Sequence, residues 1–67
     1  MFIVIEIQKA TADATPALLT NVYDDEEVAL QQYFTILAAA AVSSLALHSA
    51  VLMTPEGNVL RCESFGR

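Results

Sequence analysis

The chain has few cysteines, histidines and cations, and each shortage excludes a class of site or partner. Among its 67 residues are one cysteine, Cys62, and one histidine, His48, so neither an internal disulfide nor a four-ligand zinc site can form within one chain. The cations are Lys9, Arg61 and Arg67, and the net charge is −5. Binding to nucleic acid polymers or anionic membranes needs clustered positive charge. We therefore expect no metal, no cofactor, no nucleic acid partner and no membrane partner.

The chain also has no long apolar segment, and we expect no amino-terminal signal sequence. Its longest apolar run, residues 36–42, is far shorter than the roughly 20 residues that span a bilayer. Met1 leads directly into a strand-like segment, without the basic region that begins a signal peptide. Because a lone free cysteine is typical of a reducing compartment, we expect a cytoplasmic protein.

Apolar residues, in contrast, are abundant. They make up 55% of the chain, and charged residues make up only 16%, whereas a globular domain typically has about 45–50% and about 25%. A domain this small buries only about 60% of the surface that its unfolded chain exposes. With so few charged side chains to cover the remainder, apolar surface has to be hidden between subunits. The composition therefore predicts a homo-oligomer.

Alternating apolar residues predict two β-hairpins. The first joins strands over residues 2–9 and 17–23 across a small polar loop, and short connections favour antiparallel pairing. The second joins strands over residues 45–53 and 59–65 across a short turn. That turn places Gly57 at the position that needs a left-handed backbone.

A helix is predicted between the hairpins, over residues 25–42. Asp24 is placed to cap it, with Glu27 three positions later to complete a capping box. Two neighbouring apolar stripes follow the helix: Leu30, Phe34, Leu37 and Ala41 form the first, and Ala29, Tyr33, Ile36 and Ala40 form the second. Near its end the helix is apolar all round, which is typical of a helix that is buried on more than one side.

These elements predict a single α+β domain, residues 1–67, with the order β-β-α-β-β. One helix packs on one face of a four-stranded, mainly antiparallel sheet, and the strand order stays open. A single helix covers only one face, so the other face must meet water or a partner. This is a second, independent reason to expect a homo-oligomer.

The acidic run, residues 24–27, has two interpretations. Its carboxylates could bind a divalent cation, or they could complement the positive end of the helix dipole. We favour the second, because consecutive helical residues point in different directions.

His48 and Ser49 are adjacent in a strand, so they point to opposite faces and cannot form a nucleophile–base pair. His48 could pair across strands with Glu63 or Cys62. Alternatively, His48 is a hydrogen-bonded interface residue and Cys62 is a small buried hydrophobe, which is the interpretation that we favour. Since no nucleophile, base and orienting group converge in the sequence, we expect that the protein is not an enzyme.

Four residues form the predicted ligand site: Arg61, His48, Tyr23 and Tyr33. Arg61 could bind a carboxylate or phosphate in a bidentate way, or form an ion pair with Glu6 or Glu63, or protect a sheet edge from aggregation. The tyrosines could stack on a ring ligand or line the edge of the core. In a symmetric oligomer one Arg61 and one His48 per chain recur around the axis, so an acidic protein could still hold a small anionic ligand.

Three parts of the chain carry a resemblance to a known family. They are residues 1–8 (MFIVIEIQ); Tyr23, Glu27, Ala29 and Tyr33 followed by residues 37–43 (LAAAAVS); and residues 48–52 (HSAVL) followed by Gly57. Together they resemble a family of small uncharacterised proteins that Firmicutes bacteria and their phages and prophages encode. The resemblance covers nearly the whole chain and implies a setting, small phage-associated cytoplasmic proteins, rather than a mechanism.

This setting suggests a function. Phages deploy small oligomeric proteins that sequester nucleotide second messengers of host immunity, and such proteins need a pocket between subunits but no catalytic residues. The setting, together with the small size, the predicted assembly and the lack of catalytic residues, suggests the hypothesis of a non-enzymatic homo-oligomeric binding protein that sequesters a small nucleotide-like immune signalling molecule. The alternative is a protein-binding inhibitor or adaptor whose acidic run meets a basic surface of a host protein.

Overall fold

The fold consists of two β-hairpins with a helix between them. A computed structural model describes residues 1–66. Its elements are β1 (Phe2–Lys9), β2 (Ala17–Tyr23), α1 (Glu26–Ala41), β3 (Leu47–Met53) and β4 (Val59–Gly66). All neighbouring strands are antiparallel, in the order β2-β1-β3-β4. The predicted α+β fold with a β-β-α-β-β order is confirmed.

The two central strands come from different hairpins. β1 pairs with β3 so that Val4 lies opposite Leu52 and Glu6 lies opposite Ala50. Side chains alternate between the faces of a sheet, so these four residues share the face on which the helix packs. Val4, Ala50 and Leu52 are completely or almost completely buried there. The two central strands therefore supply the buried residues of the sheet, and the edge positions are left to β2 and β4, whose residues are almost all exposed.

The helix packs on the sheet through one of its two apolar stripes. Its buried residues are Ala29, Tyr33, Ile36 and Ala40, which are the members of the second stripe. The first stripe lies at the margin of this contact: Leu30 and Leu37 are partly buried against the core, and Phe34 is 50% exposed. Alanine at each end of the buried stripe leaves room for the helix to lie close to the sheet. Among the described residues, no helix is both long enough and apolar enough to cross a membrane.

The helix begins one residue later than the cap prediction requires. Asp25, not Asp24, is the N-cap, and its carboxylate accepts a hydrogen bond of 2.9 Å from the backbone N–H of Glu27. Asp25 has an extended backbone immediately before the first helical residue, which is the geometry that lets a cap side chain reach the first turn. The prediction that Asp24 caps the helix is therefore wrong.

The turn of the second hairpin agrees with its sequence. The backbone N–H of Gly57 donates to the carbonyl of Thr54 at 3.0 Å, and that of Thr54 donates to the carbonyl of Asn58 at 2.9 Å. Gly57 has φ +96°, a conformation that side-chain-bearing residues rarely adopt. The predicted left-handed position is confirmed.

Candidate functional site

The sheet has a covered face, which carries the helix, and an uncovered face. The register places these residues on the uncovered face: Ile3, Ile5, Ile7 and Lys9 of β1; Leu18, Thr20 and Val22 of β2; Leu47, Ser49, Val51 and Met53 of β3; and Val59, Cys62 and Ser64 of β4. No described helix packs against it. Leu18 and Val22 are 63% and 55% exposed. The uncovered face is therefore a continuous, mainly apolar surface.

A concavity of about 390 Å³ lies between β1, β3 and β4. Five of its lining residues belong to the uncovered face: Ile7, Ser49, Val51, Cys62 and Ser64. Ala50 and Glu63, whose side chains belong to the covered face, complete the lining. Apolar walls with a few hydroxyl groups are typical of small-molecule sites. The concavity is open on one side, so a second surface is needed to enclose a ligand.

A cation stands near this concavity. Lys9 is two residues beyond Ile7 on the same strand and the same face, a separation of about 7 Å along the strand. Its side chain is partly exposed. Lys9 can therefore place an ammonium group beside a ligand that the concavity holds.

The covered face carries a polar cluster around His48. The Nε2 atom of His48 lies 2.6 Å from Oε2 of Glu6, and the amide of Gln8 donates to the same oxygen at 2.9 Å. His48 is only 5% exposed. Its predicted pairing with Glu63 or Cys62 is wrong, because β1 rather than β4 supplies the carboxylate.

The strand register explains this correction. On β4 the residue opposite His48 is Phe65, and Cys62 is opposite Val51 on the uncovered face. His48 and Cys62 therefore lie on opposite sides of the sheet. Cys62 is also exposed, so the prediction of a small buried hydrophobe at this position is wrong as well.

The surroundings of His48 contain one carboxylate partner and no described nucleophile. Nε2 contacts Glu6, and Nδ1 is buried without a hydrogen-bond partner among the described residues. Ser49 points to the opposite face, as does Cys62. Across residues 1–66 there is also no group of three or more histidine, cysteine or acidic residues arranged to hold a metal ion.

Arg61 lies on the covered face of β4, against the helix. Its guanidinium carbon is 5.6 Å from the centroid of the Phe34 ring, within the range of a cation–π contact. It forms no ion pair with Glu6, Glu63 or another described residue. The predicted intramolecular ion pair is therefore wrong, whereas the predicted position at a sheet edge is confirmed.

The two tyrosines belong to the hydrophobic layer between helix and sheet. Tyr33 is 3% exposed, and Tyr23 is partly buried against the same cluster. Burial raises the pKa of Tyr33, and the negative charges of Glu63 and Cys62 raise it further, while Arg61 opposes them. Tyr33 thus keeps its proton at neutral pH and acts as a core residue, which is the alternative considered for it above.

The four predicted ligand residues do not converge within one chain. Arg61 adjoins Tyr33, but His48 is four residues along β3 from the residue opposite Arg61, about 13 Å away. Tyr23 is on β2, three strand spacings from β4, or about 14 Å. All four lie on the covered side, and none lines the concavity.

Sequence reasoning did not assign Lys9, Ser49 and Ser64 to a site. The signal was present in part, because Ser49 interrupts the apolar alternation of Leu47, Val51 and Met53. Placing it beside Ser64 and Ile7 required the strand order and the register. Comparison of the chain with protein-family models, with curated proteins and with solved structures finds no match.

Proposed function

We propose that this chain is a homo-oligomeric, non-enzymatic binding protein that holds a small nucleotide-like ligand between its subunits. The observation that carries the proposal is the uncovered face, a continuous apolar surface that meets no helix. In this arrangement two copies stack their uncovered faces, as the two sheets of a β-sandwich do, about 10 Å apart.

The size of the uncovered face suits a stable interface. The two larger dimensions of the Cα framework are 33 and 21 Å, and their product gives a footprint of about 700 Å², close to the roughly 800 Å² per partner of a standard interface. Fully burying one leucine or valine side chain contributes about 1.5–3 kcal/mol. Leu18 and Val22, both more than half exposed, supply such contributions from the edge strand alone.

The concavity supplies the ligand site in this proposal. Stacking a second sheet over it encloses a chamber with apolar walls and the hydroxyl groups of Ser49 and Ser64, and Cys62 and Glu63 also contribute to its lining. Lys9 supplies positive charge for an anionic group at the end of the chamber. The nucleotide-like class of ligand rests on the resemblance to phage-encoded proteins, and the chamber is compatible with it because a nucleotide combines an apolar ring with an anionic group.

The non-enzymatic part of the proposal is supported by the separation of reactive groups. His48 is buried and held by Glu6, while Cys62 and Ser49 face the other side of the sheet. A general base must lie within hydrogen-bond reach of the group that it activates. The hydroxyl of Ser49 and the thiol of Cys62 therefore lie on the other face of the sheet from His48, the one histidine of the chain.

A matched pair of variants tests the assembly. Leu18→Asp places a charge on the uncovered face, and Leu19→Asp places one on the opposite face of the same strand; both leucines are more than half exposed, so neither change disturbs the core. We expect multi-angle light scattering at micromolar concentration to show the same oligomer for the native chain and for Leu19→Asp, and a smaller assembly for Leu18→Asp. A monomeric native chain would overturn the proposal.

Thermal-shift and calorimetric titration test the ligand. Cyclic dinucleotides and ADP-ribose derivatives, each at about one hundred times a micromolar Kd, should stabilise the native chain by about 2.7 kcal/mol. Leu18→Asp should lose this effect and Leu19→Asp should keep it. If none of these compounds stabilises the native chain, the proposal of a nucleotide-like ligand is contradicted. The assembly is tested independently by light scattering.

A second candidate function is favoured by the exposure of the acidic run. Asp24, Glu26 and Glu27 are exposed, and the side chain of Asp25 is the one that caps the helix. The free carboxylates suit a basic surface on a host protein, as expected for an inhibitor or adaptor. Replacing the three with Asn, Gln and Gln should then abolish binding to that partner without unfolding the chain, and unchanged binding would exclude this alternative.

A further inference from the structure

The free edge of β4 carries a self-complementary charge pattern. β4 is the last strand of the sheet, and an edge strand presents unpaired backbone N–H and C=O groups. All of its residues are exposed. Arg61 and Glu63 stand two residues apart on the covered face, with opposite charges, and neither has an ion-pair partner among the described residues.

We propose that β4 pairs antiparallel with β4 of a second copy, about a two-fold axis that passes midway between the two Cys62 residues. The pairing rests on the proposed function, since both require self-association, and it names a second interface in the same assembly. The partner is another copy of this chain, because the charge pattern of β4 complements itself.

The charges select one register. A two-fold axis that relates antiparallel neighbours in one sheet, with the covered faces on the same side, must pass midway between the two copies of one residue; an axis at a residue means this position below. An axis at Cys62 places Arg61 of each copy opposite Glu63 of the other. An axis at Arg61 or at Glu63 would place like charges directly opposite each other, which is destabilising. The axis at Cys62 also lies near the middle of Val59–Gly66, so almost the whole strand can pair.

The other edge strand offers no such selection. β2, with the sequence ALLTNVY, has no charged residue, so no register of self-pairing is favoured by charge. Register is weakly specified in strands of this kind. Charge complementarity therefore assigns the pairing to β4.

The pairing has two geometric consequences. It joins the two four-stranded sheets into one continuous sheet, with both uncovered faces on the same side and still available for stacking. It also brings the two Cys62 side chains face to face on the axis, with Cβ atoms about 4.5–5.5 Å apart. The exposed thiol of Cys62 thus becomes a reporter of the register.

Thiol cross-linking tests this geometry on the full chain. We expect the shortest bifunctional maleimide to convert the native protein into a covalent dimer at micromolar concentration. In the matched control, Cys62→Ser with Ser64→Cys, the two thiols are about 13 Å apart across the pairing, so the yield should fall about ten-fold. Equal yields at both positions would overturn the proposed register.

Charge reversal tests the cause of the register. Arg61→Glu and Glu63→Arg each place like charges opposite each other, and each should lower the cross-linking yield about ten-fold or more. The double variant restores both opposite pairs and should recover the native yield. Circular dichroism shows whether each variant is folded. Folded single variants with native yields, or a folded double variant without recovery, would overturn the pairing.

The scattering result separates this inference from the proposed function. An oligomeric native chain whose Cys62 does not cross-link would refute the β4 pairing and leave the stacked assembly intact. Conversely, a Leu18→Asp variant that remains a cross-linkable dimer supports β4 pairing and separates it from the stacked interface.

Discussion

His48 and Glu6 form a side-chain contact of 2.6 Å between the two central strands, which belong to different hairpins. The residues are 42 positions apart in the chain. Glu6 also accepts a hydrogen bond from Gln8, so one carboxylate oxygen serves two partners at the edge of the hydrophobic core. This contact joins the two hairpins by a polar interaction as well as by apolar packing.

Replacing Glu6 with alanine should destabilise the fold. It leaves the nearly buried His48 and the amide of Gln8 without an acceptor, and the loss of a hydrogen bond to a charged group costs about 1.5–3 kcal/mol. Chemical denaturation at one fixed protein concentration measures the change in the free energy of unfolding. The matched control is Glu56→Ala in the exposed turn, which should change that free energy by less than about 0.5 kcal/mol. Equal effects at the two positions would contradict the structural role of Glu6.

Tyr33 should ionise only at strongly alkaline pH. Burial raises its pKa in the folded chain, as do Glu63 and Cys62, so the folded protein holds this proton where the unfolded chain has lost it. The contribution of this proton to the free energy of unfolding is complete below about pH 10, the ordinary pKa of tyrosine. It is lost as pH rises through the raised pKa of Tyr33. Ultraviolet titration of tyrosinate should show a late transition that Tyr33→Phe removes.

The cause of this shift can be tested separately. Glu63→Gln removes a nearby negative charge and should lower the pKa of Tyr33, whereas Glu56→Gln, in the distant turn, should leave it unchanged. A late transition that persists in Tyr33→Phe would show that another group is responsible.

The position of the helix cap should be visible in stability. Asp25→Ala removes the side chain that accepts from the N–H of Glu27 and should lower the free energy of unfolding by about 1 kcal/mol. Asp24→Ala changes the neighbouring acid, which is not the cap, and should cost clearly less. Thermal denaturation of the two variants compares them at equal net charge, and a larger loss for Asp24→Ala would contradict the cap assignment.

The core should depend strongly on Leu52. This residue is 1% exposed, and removing a buried leucine side chain typically costs about 2–5 kcal/mol because a cavity remains. Leu19→Ala makes the same chemical change at a position that is 53% exposed, so it should cost much less. Urea denaturation of both variants checks the contrast. Similar midpoints would show that Leu52 is not packed as described.

The elements could be predicted from the sequence because their signals are local. Alternation gave the limits of β1 and β2, and the glycine of the second hairpin marked its turn. The cap was misplaced by one residue, because Asp24 and Asp25 are chemically equivalent and only the backbone conformation distinguishes them. The two helical stripes could not be ranked either, since both are apolar and only packing shows which one faces the sheet.

The site was harder to predict because it depends on strand order. The partners considered for His48, Glu63 and Cys62, both lie on β4, because the strand on the other side of β3 cannot be read from the sequence. Once β1 lies beside β3, His48 meets Glu6, and Cys62 lies on the other face. The grouping of Ser49, Ser64 and Ile7 likewise exists only in the folded sheet.

The order β2-β1-β3-β4 also determines when the chain can fold during synthesis. β1 pairs with β3 from Ile3–Met53 to Lys9–Leu47, so its second neighbour emerges from the ribosome only after the first hairpin and the helix. Contacts so distant in sequence slow folding, because a long loop must close before they form. Until then the first hairpin exposes apolar side chains on both faces. In that interval the nascent chain is most susceptible to aggregation and most available to chaperones.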